Sequence, residues 1–175
     1  LAALDVVIQI CDALTYLHTL DPPIIHRDIK PQNIKVTSEG KAVLVDFGLA
    51  KVGSADTRTR LGARGGTPGF APPEQALGST STTPLSDIYA LGATLYAILT
   101  NTDPPDSTDL LLKRTVFDPP HKRNPKISAR TSQAIEQAMQ PIEADRPQSV
   151  ITWQTELKDI YKECQAEAKH LAAEI

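Results

Sequence analysis

Apolar residues recur at helical spacing from the first positions of the chain: Leu4, Val7 with Ile8, Cys11, Leu14, then Leu17 beside His18. The spacing predicts an amphipathic helix over Leu1 to Leu20. Asp21-Pro22-Pro23 stops it, because proline lacks the N–H a helix needs and restricts the residue before it. Two short β-branched runs, Ile34 to Val36 and Ala42 to Val45, flank Ser38-Glu39-Gly40 and predict a small hairpin. From Asp46 to Pro84 the chain is rich in Gly, Thr, Ser and Pro, and no regular element is expected there. Loops this long in compact domains are usually functional. Ser86 to Thr100 is the most apolar stretch, with Ile88, Leu91, Leu95, Ile98 and Leu99 interleaved with the small residues Ala90, Gly92, Ala93 and Ala97. It predicts a central helix, buried and closely approached by its neighbours. Ser107 to Thr115, Ala129 to Gln140 and Gln148 onward predict three more helices, separated by Asp103-Pro104-Pro105, Asp118-Pro119-Pro120 and Pro141. The expected fold class is mainly α, a helical bundle around a buried central helix with one small β-hairpin.

Composition narrows the function. The chain has 175 residues, 41% of them hydrophobic and 22% charged, which suits one globular domain with a real core. A net charge of -3 argues against a dedicated nucleic-acid binder. Cys11 and Cys164 are far apart in sequence and read as reduced core thiols, not as a disulfide framework or zinc site. No apolar run approaches the ~20 residues that span a bilayer, and no secretory signal opens the sequence, so no membrane segment and a cytoplasmic location are expected. The chain begins inside an apolar periodic pattern with no Met or N-cap, which suggests a fragment of a longer protein.

The chemistry is concentrated in one constellation. His26-Arg27-Asp28-Ile29-Lys30-Pro31-Gln32-Asn33 precedes the hairpin, and Asp46-Phe47-Gly48 follows it. Taken singly, a loop Asp or Asn is usually a turn former or cap. Eight ordered residues, a hairpin and Asp-Phe-Gly together are hard to produce by chance. On these motifs the chain resembles the bacterial eukaryotic-like (Hanks-type) serine/threonine protein kinases from Leu1 to about Tyr161. Further segments carry the same likeness. Gly66 to Gln75 resembles the end of the family's activation loop, Ser86 to Gly92 the start of its central helix, and Asp145-Arg146-Pro147 its arginine motif before the last helix.

The resemblance implies a protein-kinase-like C-terminal lobe over residues 1–161, with residues 162–175 as a helical extension or linker. It implies transfer of the γ-phosphate of ATP to Ser or Thr hydroxyls of protein substrates, with Mg²⁺ as cofactor. Asp28 would orient the hydroxyl, and Lys30, which favours serine/threonine specificity, would reach the γ-phosphate. Asn33 and Asp46 offer hard oxygen ligands to the metal, and Gly48 permits the turn after Asp46. His26 and Phe47 would pack the two loops together. Thr67 would sit near Asp28, Asp87 would bond the backbone around His26 and Arg27 or cap its helix, and Glu74 would pair with Arg146. Arg27 would receive a phosphate from the activation loop, where Ser54, Thr57 and Thr59 are candidate phosphorylation sites.

Two departures stand out. Pro72-Pro73-Glu74 replaces the usual Ala-Pro-Glu but keeps the Glu. No G-x-G-x-x-G strand-turn and no V-A-I-K lysine precedes the first helix, so the N-terminal lobe is expected in cis but outside this chain, leaving it inactive alone. A non-catalytic kinase-like interaction module is the alternative, and the intact Asp28, Lys30, Asn33 and Asp46 argue against it. A small-molecule phosphotransferase would lack a peptide-positioning segment such as Thr67 to Glu74.

Overall fold

The computed structural model describes residues 1–52, 67–78 and 82–173. Its first helix, α1 (Ala2–His18), buries Leu4, Val7, Ile8, Ile10, Cys11 and Leu14, the apolar stripe of the sequence. Four short strands follow. β1 (Ile24–Ile25) pairs antiparallel with β4 (Lys51–Val52), and β2 (Ile34–Val36) pairs antiparallel with β3 (Ala42–Leu44). The hairpin is as expected, with Ile34 opposite Leu44 and Val36 opposite Ala42. Neither β1 nor β4 was expected. Each is only two residues long, and each forms because the other offers it a ladder, a tertiary effect invisible in local pattern.

The helices then follow in order: α2 (Pro73–Ala76), α3 (Pro84–Thr100), α4 (Ser107–Leu111), α5 (Pro120–Arg123), α6 (Ala129–Ala138) and α7 (Val150–Ala173). The stretch expected to be irregular therefore contains β4 and α2. α3 starts two residues before the expected Ser86, because Pro84 occupies the first helical position, where its missing N–H costs nothing. Thr83 accepts from Leu85 N at 3.2 Å, and Ser86 Oγ accepts from Thr83 N at 3.1 Å, closing a capping box. The same proline rule starts α5 inside a link read as irregular. α4 stops at Leu111 rather than Thr115. Lys113 adopts a left-handed φ of 54°, with Lys113 N on Leu110 O at 3.1 Å and Arg114 N on Asp109 O at 2.8 Å, a Schellman ending without glycine.

α3 is buried on all sides from Ser86 to Tyr96. It packs against α1, α5, α6 and α7. Its approach to α6 depends on Gly92, where a Cβ would lie 2.7 Å from the Ala138 methyl. Polar ties lock the remaining helices. Trp153 Nε1 donates to Ala134 O at 3.0 Å, and Gln154 Nε2 donates to Ile8 O at 2.9 Å and to Asp12 Oδ1 at 2.6 Å. Among the described residues no helix is long and apolar enough to cross a membrane.

Two outcomes test this packing. Gly92→Val should destabilise the fold by about 1–3 kcal/mol in chemical denaturation, because the α3–α6 contact has no room for a branched side chain. Burial, reinforced by the charge of Asp12, pushes the Cys11 thiol far above its ordinary range. An alkylating reagent at neutral pH should therefore modify the partly exposed Cys164 in the native protein and reach Cys11 only after unfolding.

Candidate active site

The site is built on a loop that leaves β1 and hangs from α3. Asp87, fully buried in the first turn of α3, accepts three hydrogen bonds. His26 N reaches Oδ2 at 2.9 Å, Arg27 N reaches Oδ1 at 2.9 Å, and His18 Nε2 lies 2.8 Å from Oδ2 at the end of α1. The α3 cap is supplied by Thr83 and Ser86, so Asp87 is spent on the loop and not on its own helix terminus. Arg27 then takes a left-handed φ of 70°, an unfavourable conformation for a residue with a Cβ. That turn carries the chain out of the β1 direction and into Asp28.

Asp28 presents its carboxylate to three side chains. Lys30 Nζ lies 2.9 Å from Oδ2 and 3.2 Å from Oδ1, Thr67 Oγ1 donates to Oδ1 at 3.1 Å, and Asn33 Nδ2 donates to Oδ2 at 3.0 Å. Lys30 also donates to Thr67 Oγ1 at 2.9 Å. Asn33 Nδ2 reaches Asp28 O at 2.7 Å, so both faces of the Asn33 amide nitrogen are committed to Asp28. Ile29, fully buried, anchors the loop between these polar groups. A 3-10 turn over Pro31–Asn33 leads into β2.

The hairpin returns the chain to the same place. Val45 N donates to Asn33 O at 2.9 Å, which sets Asp46 beside Asn33 at the open end of the ladder. Asp46 is exposed, has a left-handed φ of 65°, and accepts Gly48 N on Oδ1 at 3.2 Å. His26 ties the two loops. Its ring meets Phe47 edge-on with centroids 4.7 Å apart, and Nε2 lies 3.2 Å from Val45 O. Asp28 N approaches His26 Nδ1 at 3.4 Å, an arrangement satisfied by the tautomer with its proton on Nε2.

The donor set fits a hard divalent cation. Asn33 has its nitrogen committed and accepts no hydrogen bond on Oδ1 among the described residues, and Asp46 keeps Oδ2 likewise. Two hard oxygen donors of this kind are the chemistry Mg²⁺ prefers, since it keeps water and takes further oxygens from phosphates rather than from a protein cage.

The segment that carries Thr67 is fastened to the helices by Glu74 and Arg146. Arg146 donates to Glu74 Oε1 at 2.8 Å and Oε2 at 3.0 Å. Its other N–H groups reach Gln140 O, Leu85 O and Pro141 O, and its guanidinium lies 5.1 Å from the Tyr89 ring centre. Gly69 keeps the segment close to the helical body, at a φ of 81° and with a Cβ position only 2.6 Å from Pro104 O. Two participants were not foreseen from sequence. His18 contacts Asp87, and Gln75 Nε2 donates to Arg27 O at 2.5 Å. Ser54, Thr57 and Thr59 lie outside the described residues.

Arg146→Ala should cost about 3–5 kcal/mol, because it strands the Glu74 carboxylate and three carbonyls. Arg123→Ala should cost under about 1 kcal/mol, because its bridge to Asp118 is solvent-exposed. Thermal denaturation of the two variants side by side checks the difference.

Residues 2–170 match the family model described as a protein kinase domain. The serine/threonine-protein kinase PknK of Mycobacterium bovis is 35% identical over 165 residues, which cover 91% of this chain and 14% of that protein. The serine/threonine-protein kinase pkn3 of Myxococcus xanthus is 35% identical over 173 residues, covering 90% of this chain and 31% of that protein. A probable serine/threonine-protein kinase PknB of Lactococcus lactis is 40% identical over 104 residues, covering 59% of this chain and 16% of that protein. The chain thus spans under a third of the length of these relatives, and with a match running nearly end to end along its own residues it belongs to the protein kinase domain family.

Proposed function

We propose that this chain is the catalytic-loop and substrate-binding lobe of a Hanks-type serine/threonine protein kinase, a helical bundle about α3. The observation that carries this reading is the Asp28 carboxylate, gripped by Lys30, Asn33 and Thr67 on a loop whose backbone is fixed to α3. Phosphoryl transfer asks little covalent chemistry of a protein. It asks for an oriented hydroxyl, cations across the phosphates and charge on the moving group.

Each residue has a role in that scheme. Asp28 accepts the hydrogen bond of the Ser or Thr hydroxyl and takes its proton. Thr67 holds Asp28 from the peptide side. Lys30, on Asp28 in this structure, swings its ammonium to the transferring phosphoryl group. Asn33 Oδ1 and Asp46 would hold Mg²⁺, which would supply positive charge to offset that of the ATP phosphates. The intact set of Asp28, Lys30, Asn33 and Asp46 argues for catalysis over a purely structural kinase-like module.

The lysine-bearing strand and glycine-rich loop that the family uses to fix the phosphates have no counterpart among these residues. We place them in cis in the whole protein, which acts in the cytoplasm on protein substrates. Without them the triphosphate stays mobile and solvated, and loss of such positioning costs about 10²-fold or more in rate.

The test is transfer of radiolabelled phosphate from ATP to a generic basic protein. The whole protein should be active, Asp28→Asn should lower its rate by about 10²–10⁴-fold, and the 175-residue chain alone should show little transfer. Undiminished transfer by Asp28→Asn overturns the catalytic assignment. Robust Asp28-dependent transfer by the chain alone overturns the need for a second lobe.

A further inference from the structure

Arg27 sits in a conformation that its own chemistry resists. A left-handed non-glycine residue is strained and persists only where the surroundings hold it. Its N–H is held by Asp87 from α3, and its carbonyl oxygen is held by Gln75 from α2. The peptide bond that follows Arg27 is the one whose orientation sets where Asp28 points. Asp87 cannot govern that peptide, because it binds the N–H on the other side of the Arg27 Cα. Among the described residues that peptide is held at its carbonyl by Gln75 alone, and at its N–H by the longer 3.4 Å approach to His26 Nδ1.

Gln75 is equipped for this. It is 2% exposed, so its amide is shielded from competing water. It follows Glu74 directly, and the Glu74–Arg146 pair fixes α2 to the helical body. The segment that carries Gln75 also carries Thr67, which touches the Asp28 carboxylate itself. One segment therefore grips Asp28 at its side chain through Thr67 and at the preceding peptide through Gln75.

We infer that Gln75 is a positioning residue of the catalytic loop: its hydrogen bond to the Arg27 carbonyl locks the peptide that aims Asp28, and so couples the placement of the peptide-facing segment to the alignment of the catalytic carboxylate. The inference rests on the kinase reading for its catalytic consequence, but the grip on the loop does not.

The experiment uses the whole protein with Gln75→Met, which keeps the length and removes the donor, and Gln75→Asn, which keeps the amide on a shorter stem. Hydrogen exchange at residues 26–28 should accelerate in both variants, while exchange in α7 should stay unchanged. The kcat for transfer to a basic protein should fall by about 10- to 100-fold, with KM for ATP and the number of ATP sites per mole unchanged. A residue that only helped folding would lower kcat in proportion to the sites lost. That proportional loss overturns the proposal, and so does faster exchange with unchanged kcat, or no change in either readout. If the unsubstituted whole protein shows no Asp28-dependent transfer, the kinase reading falls instead, and the exchange arm alone decides whether Gln75 holds the loop.

Discussion

The carboxylate of Asp87 is the constraint on which the site depends. It is fully buried, and it is tolerated there because three donors on two other segments converge on its two oxygens. A buried anion without such partners would be expelled or protonated. The dependence runs both ways. The loop in turn hangs from that carboxylate, because His26 N and Arg27 N both point at α3, where Asp87 receives them. Charge-assisted bonds of this kind are roughly twice as strong as neutral ones. They suspend the loop from the most buried helix of the chain.

A second constraint fastens the segment that carries Thr67. The guanidinium of Arg146 spends its five N–H groups on Glu74 and three carbonyls, so α2, the start of α3 and the turn before α7 share one centre. The gain is less in net stability than in uniqueness of arrangement, since desolvating two charges offsets most of their attraction. Asp87 and Glu74 lie thirteen residues apart around the start of α3, and Ser86 Oγ donates to Glu74 Oε1 at 2.9 Å. The two anchors are thereby parts of one network.

Much of this was legible in the sequence, and the failures have a common cause. The apolar stripes of α1 and α3, the hairpin and the clustering of Asp28, Lys30, Asn33 and Thr67 follow from residue pattern or motif, because each depends on side chains whose spacing is local or whose motif is distinctive. β1, β4, α2 and α5 were missed because elements this short take their stability from tertiary partners. Helix ends were misplaced where proline or a left-handed lysine set the boundary, as at Pro84 and Lys113. His18 and Gln75 left no signal. His18 meets a carboxylate on a helix far along the chain, and Gln75 meets a backbone carbonyl that every residue possesses.

That last contrast points to a division of labour. Apolar residues fix how α1, α3, α6 and α7 pack, and they do so with the redundancy of a large core. The irregular segments have no ladder of their own. Their backbone is held by buried polar side chains from elsewhere in the fold: Asp87 of α3 on the His26 and Arg27 amides, Gln75 of α2 on the Arg27 carbonyl, and Arg146 of the turn before α7 on the Gln140 and Pro141 carbonyls. Each of these side chains holds only one or two of those backbone groups. A lost methyl in the core can be absorbed by repacking, whereas a lost donor leaves a turn free to adopt the conformation its sequence prefers. The precision of the site therefore rests on few residues: Asp87 on the core helix α3, and Gln75 and Arg146 on segments that the Glu74–Arg146 pair fastens to it.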